Sequence, residues 1–269
     1  MEASHSLLLV ALLAALQGRV AGAGLKYDNV TEQIINGPSP DVIPIPRGSW
    51  APLDVSVEFD FINIAKVDAE RNEVEVVLWQ SANWSSPIYA WNMTEPNQAV
   101  SRVTVPARYV WVPDFTVIHG VSEIESPNLV SILHDGTVHW VTSQRIRVLC
   151  DVGDAKNASG VTCTVKIVSW THNANVLRLN FHPYRPTADT ANYFQGSRYE
   201  LLNTTVTKNS MMYPCCAEVF EDVALTFSFK ERGVEAAEDA DASSSALRLT
   251  SSTIAFILAL CFVVSLRRN

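Results

Sequence analysis

Four cysteines hold the most legible chemistry in this chain. Cys150 and Cys163 are separated by twelve residues, DVGDAKNASGVT. In an oxidising compartment such a pair can close a loop between two strands, worth about 3 kcal/mol by loop entropy. The spacing alone is unspecific. Cys215 and Cys216 are adjacent. Neighbouring cysteines pair only through a strained ring that stiffens a turn; the alternative is two independently buried thiols. Cys261 lies in an apolar run and reads as a plain hydrophobe. Sequons at Asn29, Asn83, Asn92, Asn157 and Asn203 are glycan acceptors if the chain is lumenal. Catalytic signatures are missing. There is no G-x-S-x-G elbow, no H-E-x-x-H pair and no Gly-rich phosphate loop. His5, His119, His134, His139, His172 and His182 lack zinc-ligand spacing. Neither an enzyme nor a metal or cofactor protein is expected.

The elements that must position these groups follow from composition and patterning. A chain of 269 residues with 48% hydrophobic residues can bury one sizeable core. Lys+Arg 20 against Asp+Glu 28 gives a formal net charge of -8. That balance argues against a nucleic-acid partner, whose affinity comes from neutralised phosphates, and leaves a cationic ligand open. Leu7 to Leu16 is an uncharged apolar run followed by Ala21-Gly22-Ala23, so residues 1–23 read as a secretory signal despite Glu2. The mature domain is expected over 24–232. Residues 233–252 form an acidic, Ser-rich linker, and an apolar tail runs from Thr253 to Leu266 ahead of Arg267 and Arg268. That tail is 14 residues long. As a helix it covers about 21 Å, short of the ~30 Å hydrocarbon core. It reads as a lipid-anchor signal removed with the tail, or as a short membrane anchor. Both place the body outside the cell, secreted or tethered to its surface.

The body has a period of two. Val55-Ser56-Val57-Glu58-Phe59-Asp60-Phe61 alternates apolar and polar residues, as do Glu73 to Val76 and Thr164 to Ile167. Val223 to Phe229 repeats the theme less strictly. Such alternation marks strands with one face on a core and the other in water. Asp135-Gly136 between two strand patterns signals a hairpin. Pro106, Pro113 and Pro127 confine their segments to loops or edges. A short helix is predicted near Tyr27 to Ile35. The pattern is that of one antiparallel sandwich or barrel.

Several motifs then occur in a fixed order. Asp41-Val42-Ile43-Pro44 and Phe61-Ile62-Asn63-Ile64 come first. Trp79-Gln80-Ser81-Ala82-Asn83-Trp84, Trp111-Val112-Pro113-Asp114-Phe115 and the twelve-residue Cys loop follow. Ser169-Trp170-Thr171-His172 and Tyr213-Pro214-Cys215-Cys216 complete the set. Together they resemble the extracellular ligand-binding domain of Cys-loop receptors over Leu25 to Arg232, with the loop length of the soluble acetylcholine-binding proteins. The resemblance implies an all-β, ten-stranded, immunoglobulin-like β-sandwich behind a short N-terminal helix, assembled as a homopentamer. It implies disulfides Cys150–Cys163 and Cys215–Cys216. It also implies a small cationic ligand in an aromatic box between subunits. One subunit supplies loops A to C and its neighbour loops D to F.

Residue by residue, the resemblance makes Trp170 the loop B tryptophan and Tyr213 the first loop C tyrosine. Trp79 is the loop D tryptophan of the neighbouring subunit, and Cys215-Cys216 is the stiff tip of loop C. Trp84, Trp91 and Trp111 are read as core. Two positions depart from the pattern: Ile118 replaces the loop A tyrosine and Phe220 the second loop C tyrosine. The box loses one ring and two hydroxyls, which weakens acetylcholine binding if each interaction is worth about 1 kcal/mol or more. Loop E is also unusual, with Ser131, His139 and Val141. Two other readings compete: a truncated or accessory subunit of a nicotinic-like channel, and a scaffold module that kept the fold and lost the pocket. A pore needs further apolar segments of about 20 residues, and only the one short run follows Arg232.

Overall fold

The computed structural model describes residues 28–94, 99–153, 160–182, 184–214 and 216–233. The secretory segment, the linker and apolar tail after residue 233, Cys215, Cys261 and Asn157 lie outside the described residues.

A helix over residues 28–35 opens the fold, and Val30 and Ile34, four apart on one face, bury it on the core. Eleven strands follow: β1 (Leu53–Asp68), β2 (Glu73–Ser85), β3 (Arg102–Pro106), β4 (Phe115–Ile118), β5 (Gly120–Ile124), β6 (Leu129–Leu133), β7 (Thr137–Leu149), β8 (Val161–Ser169), β9 (Leu177–Phe181), β10 (Tyr199–Met212) and β11 (Val219–Glu231). A seven-stranded sheet runs β3-β6-β7-β2-β1-β9, with β5 joining β7, and packs on a four-stranded sheet β10-β11-β8-β4. Alternation decides which side chains meet between them. In β1, Val55, Val57, Phe59 and Phe61 are buried while their polar neighbours point outward. Phe61 of one sheet meets Phe227 of the other with ring centroids 5.1 Å apart. Trp84, Trp91 and Trp111 are buried, and Trp84 and Trp111 pack edge to face at 5.6 Å.

The ten strands that the resemblance implies become eleven because one segment changes sheets. β4 pairs with β8, but β5 pairs with β7 of the other sheet. The crossing occurs at His119, at φ 56, and Gly120, where a Cβ would collide with the Arg147 carbonyl. The Asp135-Gly136 turn joins β6 to β7. Gly136 has φ +84, and a side chain there would strike the Ser86 backbone. The Cys150–Cys163 disulfide is formed with Cα atoms 5.4 Å apart and ties the end of β7 to β8. It therefore links the two sheets directly.

Candidate functional site

One end of the four-stranded sheet gathers the residues after β8 and the β10–β11 hairpin. The β8–β11 ladder ends at the pair Val168–Asp222. Two residues beyond it lie Trp170 on one chain segment and Phe220 on the other. Phe220 is opposite Met211 in the hairpin, and its ring meets that of Tyr213 edge-on at 5.7 Å. Cys216, next to Tyr213 in the turn, donates its N–H to the Tyr213 carbonyl at 3.1 Å. Trp170 is 69% exposed. Trp50, ahead of β1, is barer still at 96%, so what singles Trp170 out is its place two residues beyond the Val168–Asp222 rung, level with Phe220.

Asp114 fixes the backbone that carries Trp170. Its carboxylate accepts from Ser169 Oγ at 2.5 Å, from Thr171 Oγ1 at 2.6 Å and from the Thr171 N–H at 2.7 Å. Its carbonyl accepts the Trp170 N–H at 3.2 Å. Burial pushes the Asp114 carboxyl upward, but the bonds from Ser169, Thr171 and His172 outweigh it and hold the pKa below the ordinary value. Asp114 thus stays ionised and clamps the residues on both sides of Trp170. His172 closes the base of this clamp, its ring edge-on to Trp111 at 6.3 Å. Sequence reading saw Asp114 and His172 only as letters in two motifs; their role needed the pairing of β4 with β8.

Ile118 stands apart from this cluster. It faces Lys166, three rungs from the Phe115–Ser169 pair. At about 3.4 Å per rung that sets it roughly 10 Å back along the sheet. Beside it, Lys166 reaches Asp222 at 3.8 Å, and Asp222 accepts from Asn209 Nδ2 at 2.7 Å.

The remaining candidates lie on the outer face of the other sheet. Trp79 pairs with Ser143, Ser81 with Val141, and Asn83 with His139. His139 pairs in turn with Ser131 on β6. Cross-strand partners share a face, so the loop D and loop E positions form one continuous surface. Trp79 is 40% exposed and Val141 is exposed as well. On β1, Asp60 stands opposite Trp79 and Glu58 opposite Ser81. Burial, then Asp189 and Glu58, push the Asp60 carboxyl up against the pull of Arg185. Carboxylates that crowd one another beside an exposed indole favour a cation there.

His139 donates from Nδ1 to Asn83 Oδ1 at 2.6 Å. Burial and the Arg102 charge hold its pKa below the ordinary imidazole value, against Asp135 and Glu58. The ring is therefore neutral at neutral pH. A bound cation on this face resists its protonation. Affinity for tetramethylammonium, whose charge does not titrate, should be flat above about pH 6.5 and fall as pH drops below the His139 pKa. A drop of about three-fold is expected for a charge at this separation. Calorimetric titration from pH 8 to pH 5 measures it, and the His139→Leu variant should lose this limb.

Of the sequons, Asn29, Asn92 and Asn203 are exposed, whereas Asn83 is half-buried in the face just described. Among the described residues no cluster of metal-ligating side chains occurs, and no helix is long and apolar enough to cross a membrane.

Two packed sheets behind a short N-terminal helix, tied together by the Cys150–Cys163 disulfide, form a sandwich of the Cys-loop receptor class. Residues 28–232 match the neurotransmitter-gated ion-channel ligand binding domain, and the chain belongs to that family. It is 26% identical over 209 residues to the human neuronal acetylcholine receptor subunit alpha-2, covering 74% of this chain and 38% of that one. It is 26% identical over 186 residues to the rat subunit alpha-10, covering 67% of this chain and 40% of that one. The chain thus spans about two fifths of the length of these curated relatives.

Proposed function

We propose that this chain is an extracellular ligand-binding subunit that captures a small organic cation between neighbouring copies in a pentamer. The observation that carries this reading is the division of bare indoles between two sheets. Trp170 projects from the end of one sheet, 69% exposed, and Trp79 from the outer face of the other, 40% exposed in the single chain. A ring in which one copy's Trp170 end meets the next copy's Trp79 face covers both and encloses a cation between two π faces. Cyclic closure requires such a heterologous contact. Each cation–π contact contributes about 0.5–2 kcal/mol, the upper end when water is excluded. Asp60 beside Trp79 adds attraction of the right sign, Glu58 being already paired with Arg185 at 3.5 Å. The acetylcholine receptor subunits among its relatives agree with an amine ligand. Tyr213 and Phe220, whose rings meet edge-on, flank the cation from the β10–β11 hairpin. Ile118, set back along the sheet, brings neither ring nor hydroxyl to the box, so acetylcholine is expected to bind more weakly than to a box with a further aromatic ring. Glycans are proposed on the exposed sequons and a surface tether through the apolar tail.

Tryptophan fluorescence tests this reading. The secreted protein is titrated with acetylcholine, nicotine and choline up to millimolar concentration. A saturable change in emission below about 1 mM is expected for at least one of them, a free energy of about -4 kcal/mol or better. No response from a folded oligomer contradicts the amine reading and favours the scaffold reading.

A further inference from the structure

A cavity of about 420 Å³ lies between β10 and the segment that leads into it from β9. That volume falls in the range of about 300–1,000 Å³ typical of small-ligand sites. Thr187, Thr190 and Gln195 line it from the segment, and Leu201, Leu202 and Asn203 from β10. Its charged lining residues are Glu200 and Arg232, one of each sign. Such a lining favours no ion. It suits a neutral molecule rich in hydroxyl and amide groups, which exchange hydrogen bonds with threonine and glutamine while the C–H faces rest on leucine. Asn203 is also the acceptor of the sequon Asn203-Thr204-Thr205. The strand sorts these three side chains: Asn203 and Thr205 are exposed, and Thr204 is buried. Thr204 Oγ1 accepts the Ala188 N–H at 3.1 Å, and the Val206 N–H donates to the Pro186 carbonyl at 2.6 Å. The Tyr193 hydroxyl donates to the Tyr199 carbonyl at 2.7 Å. These bonds hold the far wall of the cavity against the sequon. The same segment grips β1 on both sides of Asp60. The Asp189 N–H donates to the Phe59 carbonyl at 2.8 Å, and the Asp189 carbonyl accepts the Phe61 N–H at 2.7 Å.

We propose that the first sugar of an N-linked glycan on Asn203 folds back into this cavity and braces the segment 187–195. The inference rests on the extracellular reading above, because such sugars belong to lumenal and secreted chains. N-acetylglucosamine is neutral and carries hydroxyls and an acetamide, the chemistry that the lining accepts. Tethering is what selects it over a free ligand. A group on a short tether meets the cavity at an effective concentration of about 1 mM. A dissociation constant of about 0.1 mM then keeps the cavity about nine-tenths filled, with no free ligand required. The seated sugar closes the gap between Asn203 and the wall formed by Thr187, Thr190 and Gln195. It thereby steadies the stretch of chain that grips β1 around Asp60.

The test uses the full chain secreted from cells that keep N-glycans in the high-mannose form. An endoglycosidase that cuts between the first two N-acetylglucosamines is applied to folded and to unfolded protein, and mass spectrometry of the glycopeptides reads each sequon. Cleavage at Asn203 should be at least about ten-fold slower in the folded protein, as nine-tenths occupancy requires. Thr190→Val combined with Gln195→Ala removes the polar wall, and both side chains are exposed, so the fold should hardly change. In that variant the folded and unfolded rates should agree within about two-fold. Thr205→Ala erases the sequon but keeps Asn203. The amides of residues 187–195 should then exchange their hydrogens at least about three-fold faster. A bare Asn203 beside sugar on Asn29 or Asn92 overturns the seat and leaves the extracellular reading standing. Equal folded and unfolded rates in the unmodified protein overturn it too, as does slow cleavage that persists in the double variant, or unchanged exchange in Thr205→Ala. If no sequon carries sugar, the extracellular reading falls and the seat with it.

Discussion

Replacing Trp170 with Ala should lower affinity for any amine ligand at least about 100-fold, equivalent to about 2.7 kcal/mol. The loss combines one cation–π contact of up to about 2 kcal/mol with the apolar area of an indole no longer buried against the ligand. Folding should hardly change. The side chain is 69% exposed and contributes little to the core. Substitutions at such surface positions usually stay within about 0.5 kcal/mol. Calorimetric titration and a thermal melt on the same preparation separate the two effects. Retained affinity would remove Trp170 from the site. A large fall in melting temperature would mean that the indole supports the fold instead.

The second large effect is expected at Asp114, and it has the opposite character. Asp114→Ala removes the acceptor shared by Ser169, Thr171 and His172, and leaves polar groups on the Trp170 segment without a partner. Hydrogen bonds to a charged acceptor contribute about 1.5–3 kcal/mol each, with incomplete additivity. A total loss of about 2–4 kcal/mol in unfolding free energy follows. Amine affinity should fall as well, because the Trp170 backbone loses its clamp. The pH dependence fixes the cause. The folded-state pKa of Asp114 lies below the unfolded value near 3.8, so its contribution is present above that pH and is lost as pH falls through the folded pKa. Denaturant melts at pH 7 and pH 3 should differ less in Asp114→Ala than in the unmodified protein. An Asp114→Ala protein as stable as its parent would show that Asp114 is incidental to the clamp.

Local pattern was sufficient where one residue's neighbours in sequence decide its environment. The alternation of β1 places Val55, Val57, Phe59 and Phe61 inside, as their spacing predicts. Asp135-Gly136 forms the turn that its dipeptide signals. Cys150 and Cys163 pair across the twelve-residue loop as the resemblance of motifs implies, a pairing that the spacing alone does not fix. Register across distant strands was beyond local reading, because periodicity does not say which residue faces which. The split of β4 from β5 at His119 depends on β8 and β7, which lie in different sheets. The Asn83–His139 bond spans 56 positions, so Asn83 read as a glycan sequon and His139 as a loop E position, with nothing to join the two. Asp114 reaches Thr171 across 57 positions, and only the folded sheet reveals it as the anchor of Trp170. Ile118 reads as one wall of the box, yet its rung beside Lys166 sets it back from Trp170. The likeness of motifs names the positions; the ladders decide which of them share a surface.

The division of the site between two copies is tested most directly by mixed assembly. Trp170→Ala chains keep an intact Trp79 face, and Trp79→Ala chains keep an intact Trp170 end. Each alone should fail to bind. Co-expressed with two different affinity tags and purified through both, they should recover binding at about a quarter of the interfaces, those in which the intact end of one variant meets the intact face of the other. Calorimetric stoichiometry on the doubly purified oligomer measures that fraction. Restored binding at near-parental affinity is the expected result. A doubly tagged, folded oligomer that binds no amine, while the unmodified protein does, would contradict a site shared between subunits.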